Sequence, residues 1–195
     1  MYELVRVSEK CYYINCPAKI GVYAADNYDS VADRDLNKIG RMLNLNIGAL
    51  TILSSLYVRD YKDVEETQLI IISSAGGYTI VPTAVTYCAA KLYVSTFAEG
   101  LAWELKEAGV KMRAKVLAPA ATKTEFGMVV NNLSEYDYDK SFRPYHTSRQ
   151  MAGFLLELYD SENVVGMVDR ETFSFRLAGP LLPYAGNSLH NQQCM

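Results

Sequence analysis

The chain has 195 residues, with 19 Lys+Arg against 22 Asp+Glu and a formal net charge of −3. That balance excludes a nucleic-acid binder working through bulk charge, because such a domain needs a basic excess to displace counterions from phosphates. At 50% hydrophobic and 21% charged residues, the chain lies outside the apolar-poor regime of disorder and can bury one sizeable core.

In chain order, Met1–Lys10 carries acids early and has no apolar h-region, so no secretory leader is expected and the cytoplasm is the expected compartment. Tyr12–Cys16 is a short β-prone run stopped by Pro17. From Asp33 to Tyr61, Leu36, Ile39, Leu43, Ile47, Leu50, Leu53 and Val58 mostly recur three or four apart, which predicts one or two amphipathic helices. The nearly uncharged part of that segment, Ile47–Val58, is shorter than the roughly 18 residues that suggest a membrane span, so no membrane contact is expected. Gln68–Ser74 is the clearest strand, stopped by Ala75-Gly76-Gly77, and Thr86–Glu107 is a long helical segment ended by Ala108-Gly109. Val110–Leu117 reads as a further strand closed by Ala118-Pro119. Residues 127–147 lack periodicity and read as a loop or short mobile helix, Thr147–Tyr159 as a helix, and Val164–Val168 as a last strand, with Phe173–Leu177 pairing back onto it. Nearly continuous apolar strands separated by helices predict a single α/β domain over 1–186, a parallel sheet covered on both faces, with 187–195 as a frayed tail.

Cys11, Cys16, Cys88 and Cys194 form no Cys-x-x-Cys pair and have no histidine at ligand spacing, so no metal site and no disulfide framework is expected; they read as reduced, mostly buried thiols. Tyr87 and Lys91 stand four apart on the long helix, one turn from each other on one face. A second such pair, Tyr136/Lys140, shows how little the spacing means alone. Position separates them. Thirteen residues before Tyr87 is Ser74, at the carboxyl end of a strand, where a parallel sheet presents ligand-contacting side chains; thirteen before Tyr136 is Lys123, at no such end.

Taken in order, Leu69-Ile-Ile-Ile-Ser-Ser-Ala-Gly-Gly, Tyr87-Cys-Ala-Ala-Lys91 and Val116-Leu-Ala-Pro-Ala-Ala-Thr-Lys-Thr124 resemble the short-chain dehydrogenase/reductase family, from about Tyr12 to Val168. The resemblance implies a doubly wound, Rossmann-like parallel sheet, with Asn46, Ser74, Tyr87 and Lys91 as catalytic residues. It also implies an NAD(P) cofactor held by Asn15, Tyr87, Lys91, Pro119 and Thr124, the last at its carboxamide. Tyr87 would act as general acid–base on a small carbonyl or alcohol substrate, with Lys91 lowering its pKa and Asn46 supporting a proton-relay water. The helices near 36–60 and 87–107 would form a homodimer or homotetramer contact.

The departures from the family pattern carry expectations too. None of the 12 glycines is separated from another by a single residue, so the Gly-rich loop that approaches the cofactor pyrophosphate has no counterpart, and the match starts at the family's fourth strand. Asn15-Cys16-Pro17-Ala18 only approximates the family's Asn-Asn-Ala-Gly, and Ala120 stands where Gly is common. The fold is therefore expected to be truncated in its N-terminal βαβ half, with an unpaired edge at Tyr12–Cys16 and weak dinucleotide binding. The alternative to an enzyme is a non-catalytic relative that acts as a dimerising or assembly partner; a third reading is one part of a longer or split product. Cys88 and the loop tyrosines Tyr136, Tyr138 and Tyr145 read as packing residues. His146 reads as a solvated loop histidine, and Phe97, Leu101 and Trp103 as core or subunit-contact residues.

Overall fold

The structure is a computed structural model that describes residues 6–7, 10–15, 31–33, 35–125, 128, 134–142 and 144–187. Cys16, Cys194 and residues 188–195 of the expected tail lie outside the described residues. The strands are β1 (Arg6–Val7), β2 (Lys10–Asn15), β3 (Gln68–Ile72), β4 (Arg113–Ala118), β5 (Thr122–Lys123), β6 (His146–Thr147), β7 (Val165–Val168) and β8 (Phe175–Ala178). The helices are α1 (Leu36–Leu43), α2 (Leu50–Tyr61), α3 (Val85–Glu107), α4 (Tyr138–Ser141) and α5 (Ser148–Asp160).

The main sheet has six strands in the order β1-β2-β3-β4-β7-β8, and β5 pairs with β6 in a separate ribbon. The central pairs β2/β3, β3/β4 and β4/β7 are parallel, whereas β1 and β8 close the two sides antiparallel. Arg6 pairs with Cys11 and Val7 with Lys10, so β1 blunts the first residues of β2, ahead of the edge expected at Tyr12–Cys16. One boundary moves. The strand expected at 110–117 starts at Arg113, because Lys111 and Met112 are held in a turn by the Lys62 carbonyl. The 127–147 segment, expected as a loop or short helix, carries α4 and β6, and Asp137 precedes α4 as its N-cap, its carboxylate accepting from the amides of Asp139 and Lys140.

Side-chain alternation divides the core between the two faces of the sheet. Leu69 and Ile71 of β3 and Ala114, Val116 and Ala118 of β4 pack with Leu50 and Tyr57 of α2 and Val94, Ala98 and Leu105 of α3. Ile70 and Leu117 face the other way, onto Leu158, Met151, Phe154 and Leu155 of α5. Helices on both faces of a parallel sheet are the doubly wound arrangement the strand pattern predicts.

The helix over 33–61 carries a surprise at its middle. Between α1 and α2, Asn44–Ala49 forms a π-helical segment, so Leu36–Tyr61 runs on as 26 helical residues with mean hydropathy 1.2 in its most apolar window. By length and composition this stretch could cross a bilayer, which the count over 47–58 alone did not register. Its Met42, Asn46, Leu50, Ser54 and Tyr57 are buried, at the spacing of one helix face turned inward.

Lys115, in mid-strand, is 2% exposed. Its ammonium donates to the carbonyls of Leu158 at 2.7 Å, Tyr159 at 2.9 Å and Ser161 at 2.5 Å, where α5 ends. The carbonyls at a helix C-terminus lack partners within the helix and carry partial negative charge, so the buried cation caps them. Burial pulls the Lys115 pKa down to about 8, aided by Arg113, with Glu162 and Asp160 opposing. A folded-state pKa below the unfolded value means that the unfolded chain binds more protons between about pH 8 and 10.5. Replacing Lys115 by Met should destabilise the fold by about 1–3 kcal/mol at pH 7, because the Ser161 carbonyl loses its donor while Leu158 and Tyr159 keep others. The advantage of the parent chain over Lys115→Met should widen as pH rises from 8 towards 10, in paired urea titrations.

Candidate active site

The carboxyl ends of the parallel strands bring the expected residues to one end of the sheet. Asn15 closes β2 in register with Ile71, Ser74 follows β3, and Pro119 follows β4. The β3–β4 ladder runs on past the strands. The Ser73 amide donates to the Leu117 carbonyl at 2.8 Å and the Ala75 amide to the Pro119 carbonyl at 2.8 Å. Ser74 thus stands between two anchored amides. It is extended at φ −162°, ψ 156° and caps the 3₁₀ turn Ala75–Tyr78, its hydroxyl accepting from the Gly76 amide at 3.1 Å.

The turn presses onto the first half of α3. Gly77 has no room for a side chain: a Cβ there would lie 2.6 Å from the Lys91 carbonyl oxygen, from Ser73 Oγ and from Ser95 Oγ. Gly76 is packed less tightly, with Ser74 Oγ, Cys88 Sγ and Tyr87 Cε1 all 3.4 Å from the position a Cβ would take. Ser73, 4% exposed, donates to the Lys91 carbonyl at 3.0 Å and shares a hydrogen bond with Ser95 Oγ at 2.7 Å. Below it, Tyr78 donates to Glu99 Oε1 at 2.5 Å. On α3, Tyr87, Lys91, Ser95 and Glu99 are spaced by four, one polar stripe facing one turn.

The expected Ser–Tyr–Lys cluster converges. The Ser74 hydroxyl and the edge of the Tyr87 ring flank the same glycine, each 3.4 Å from the position a Gly76 Cβ would take. The Lys91 ammonium lies 6.0 Å from the centre of the Tyr87 ring and donates to the Ile72 carbonyl at 3.3 Å. Burial raises the Tyr87 pKa above its ordinary value, the Ser74 hydroxyl lowers it less, and Cys88 raises it. The lowering expected from Lys91 is not what governs the phenol in this arrangement; desolvation of the half-buried ring is the leading influence. Tyr87 is consequently a protonated phenol at neutral pH.

The remaining expected residues are less closely joined. Asn46 is buried in the π segment, and its amide donates to the Met42 carbonyl one turn back at 3.0 Å, within its own helix and not to the cluster. Thr51 of α2 and Tyr93 of α3 tie the two helices through their hydroxyls at 2.7 Å. Thr124 is exposed, and its carbonyl accepts from the Tyr138 hydroxyl at 3.1 Å. Tyr138 is the hub of the loop tyrosines, 4.9 Å from the Tyr136 ring and 5.7 Å from that of Tyr145, so these residues pack on one another.

His146 corrects the sequence reading. It is 8% exposed, stacked on Phe173 at 4.5 Å and edge-on to Phe154 at 5.1 Å, because β6 carries it under the β7–β8 turn. Desolvation lowers its pKa. Phe97 and Leu101 pack against the core as expected, but Trp103 stacks on Tyr184 at 4.4 Å and so holds the C-terminal segment. Ser73, Gly77, Tyr78 and Glu99 were not singled out in the sequence, although a serine and a carboxylate in register with Tyr87 and Lys91 on an apolar helix were the available signal. Cys88 is a free, buried thiol, as expected; no group of three metal-ligating side chains exists among the described residues.

Against known proteins, the short chain dehydrogenase profile matches residues 21–134, more than half of the chain. The chain belongs to the short chain dehydrogenase family. Dehydrogenase/reductase SDR family member 11 of Homo sapiens is 32% identical over 108 residues, which cover 53% of this chain and 40% of that protein. The 7beta-hydroxysteroid dehydrogenase of Clostridium sardiniense is 30% identical over 98 residues, covering 50% of this chain and 34% of that one. This short chain dehydrogenase thus spans less than half the length of these curated relatives. A solved Sphingobium yanoikuyae short-chain dehydrogenase in complex with NADPH superposes with a TM-score of 0.60 at 22% identity, over 73% of this chain and 53% of that one. A Burkholderia cenocepacia J2315 short chain dehydrogenase in complex with NADP gives 0.63 at 15%, over 81% and 60%. At those identities the likeness establishes the fold.

Two glycine substitutions test the packing of the site. Gly77→Ala should cost about 1–3 kcal/mol in chemical denaturation, since the Lys91 backbone must move to admit the methyl group. Gly100→Ala, on the exposed side of α3 with nothing within 4 Å, should instead stabilise by about 0.5–1 kcal/mol.

Proposed function

We propose that this chain carries the catalytic centre of an NAD(P)-dependent oxidoreductase, moving hydride between a nicotinamide cofactor and a small carbonyl or alcohol substrate. The observation that carries the reading is the convergence of Ser74 and Tyr87 on either side of Gly76, with Lys91 one turn further along α3, at the carboxyl end of a parallel sheet. In the reducing direction a carbonyl oxygen gains alkoxide character. The Tyr87 phenol, kept protonated by burial, gives it a proton, and the Ser74 hydroxyl donates a second hydrogen bond that orients it. The donor set fits a nicotinamide cofactor: a buried ammonium beside a phenol offers hydrogen bonds to ribose hydroxyls, and Asn15, Pro119 and Thr124 end or follow neighbouring strands. When bound, the cofactor supplies the hydride. Lys91 holds and orients it, and Asn46 sits in a π segment, a helix form that recurs at functional sites. The NADPH and NADP of the two solved relatives make the phosphorylated cofactor the first to test.

The unit we assign to this work is a single domain over 1–186 with 187–195 as its tail, in the cytoplasm. Exposed Leu36, Ile52 and Leu56 on the α1–α2 stretch and Leu92 on α3 support self-association through these helices, as a homodimer or homotetramer.

The deciding experiment is cofactor oxidation by the purified chain, with NADPH and NADH against a panel of aldehydes and ketones. Tyr87→Phe should lower the rate by about 10²–10⁴-fold while leaving stability within about 0.5–1.5 kcal/mol. Equal rates in parent and variant would remove Tyr87 as the acid. A folded parent chain that neither binds nor oxidises either cofactor would favour the non-catalytic assembly partner.

A further inference from the structure

Glu99 is 2% exposed in the middle of α3, more than three turns from Tyr87 and outside the set of residues assigned to the chemistry. Both of its oxygens are used. Oε1 accepts from the Tyr78 phenol at 2.5 Å; Oε2 accepts from the backbone amides of Leu181 at 2.6 Å and Leu182 at 2.9 Å. Tyr78 is the last residue of the same short turn that Ser74 caps. A single buried carboxylate thereby ties three pieces of chain: the helix bearing Tyr87 and Lys91, the turn bearing Ser74, and the segment after β8. That segment is pinned further along α3 as well, where Tyr184 stacks on Trp103 and hydrogen-bonds Glu107.

We infer that Glu99 is a positioning residue that, through Tyr78, fixes the Ser74 turn against α3 and so sets the Ser74–Tyr87 contact, with the Leu181–Leu182 amides completing its coordination. The inference rests on the proposed role of Ser74 and Tyr87. A buried carboxylate is costly unless its lone pairs are filled, and here three donors from two different segments fill them. The distribution matters. Withdrawing the Tyr78 hydroxyl leaves the strap attached to α3 but frees the far end of a turn only four residues long. At its near end the Ser74 hydroxyl meets Tyr87. Burial also raises the Tyr78 pKa far above its ordinary value, assisted by Glu99, so the phenol remains a donor throughout the accessible pH range.

The test uses the full chain with tyrosines labelled at ¹³Cζ, the Tyr87 resonance being assigned by its loss in Tyr87→Phe. Ser74→Ala should displace that resonance by removing the hydroxyl beside the ring. Tyr78→Phe and Glu99→Gln should displace it in the same direction, whereas Tyr184→Phe, which touches only the outer end of the strap, should not. In NADPH-dependent carbonyl reduction, Tyr78→Phe should lower kcat about tenfold, the equivalent of one well-placed hydrogen bond. KM for NADPH should stay within about twofold, because this variant does not touch the groups assigned to cofactor binding. A folded Tyr78→Phe protein with the Tyr87 resonance at its parent position, while Ser74→Ala moves it, overturns the role of Glu99 alone. A Ser74→Ala protein with an unmoved Tyr87 resonance overturns the underlying contact and the inference with it. Should Glu99→Gln fail to fold, Tyr78→Phe carries the test, since it keeps the carboxylate and both backbone donors.

Discussion

The close approach of one turn to one helix is the constraint on which the candidate site depends. At Gly77 the chain passes so near the Lys91 carbonyl that no side chain fits, and that contact draws the whole Ser73–Tyr78 segment onto α3. Once it is made, the side chains on the two surfaces meet in order: Ser74 with Tyr87, Ser73 with the Lys91 carbonyl and Ser95, Tyr78 with Glu99. The serine and the phenol belong to elements separated by a second short helical turn, Pro82–Ala84, so their meeting is a consequence of packing and not of local sequence. A hydroxyl pair held in this way is preorganised, with the ordering cost met during folding and not at the moment of reaction.

The sheet supplies the other half of the restraint. Backbone bonds from Ser73 to Leu117 and from Ala75 to Pro119 carry the β3–β4 ladder beyond the strands, which fixes the turn from the side opposite α3. The rest of the β4 strand is equally committed. Ala114, Val116 and Ala118 face α3, while Lys115 reaches the other way to cap α5. One strand therefore registers both helical layers, and polar groups that would be costly if unpaired are bound at each step. The site occupies the sheet end where the strands stop and their neighbouring carbonyls and amides are already engaged in shaping it.

Much of this was legible in the sequence because it rests on spacing. The apolar run Leu69–Ile72, the four-residue interval from Tyr87 to Lys91 and the thirteen-residue interval back to Ser74 are fixed by strand and helix geometry, and the structure brings these residues together. What spacing could not convey was partnership at a distance. His146 is a loop residue by its neighbours, yet Phe154 and Phe173 enclose it. The π segment at Asn44–Ala49 leaves no mark in a pattern of apolar residues, since it shifts the helix phase by a single residue. The electrostatics were harder still: Lys91 was expected to supply part of a lowering of the Tyr87 pKa, but burial of the ring outweighs other influences, and burial is a property of the fold and not of the pair.

Rigidity of the Ser73–Tyr78 turn in the free protein is what presets Ser74 against Tyr87, and amide hydrogen exchange measures that rigidity directly. The amides of Ala75 and Gly77, bonded to the carbonyls of Pro119 and Ser74 at 2.8 Å each, should exchange only through global unfolding, with the same free energy as the core amides of β3 and β4. Exchange of either amide by local opening, several kcal/mol below the global value, would contradict a preset hydroxyl pair and leave the site to be assembled by its ligands.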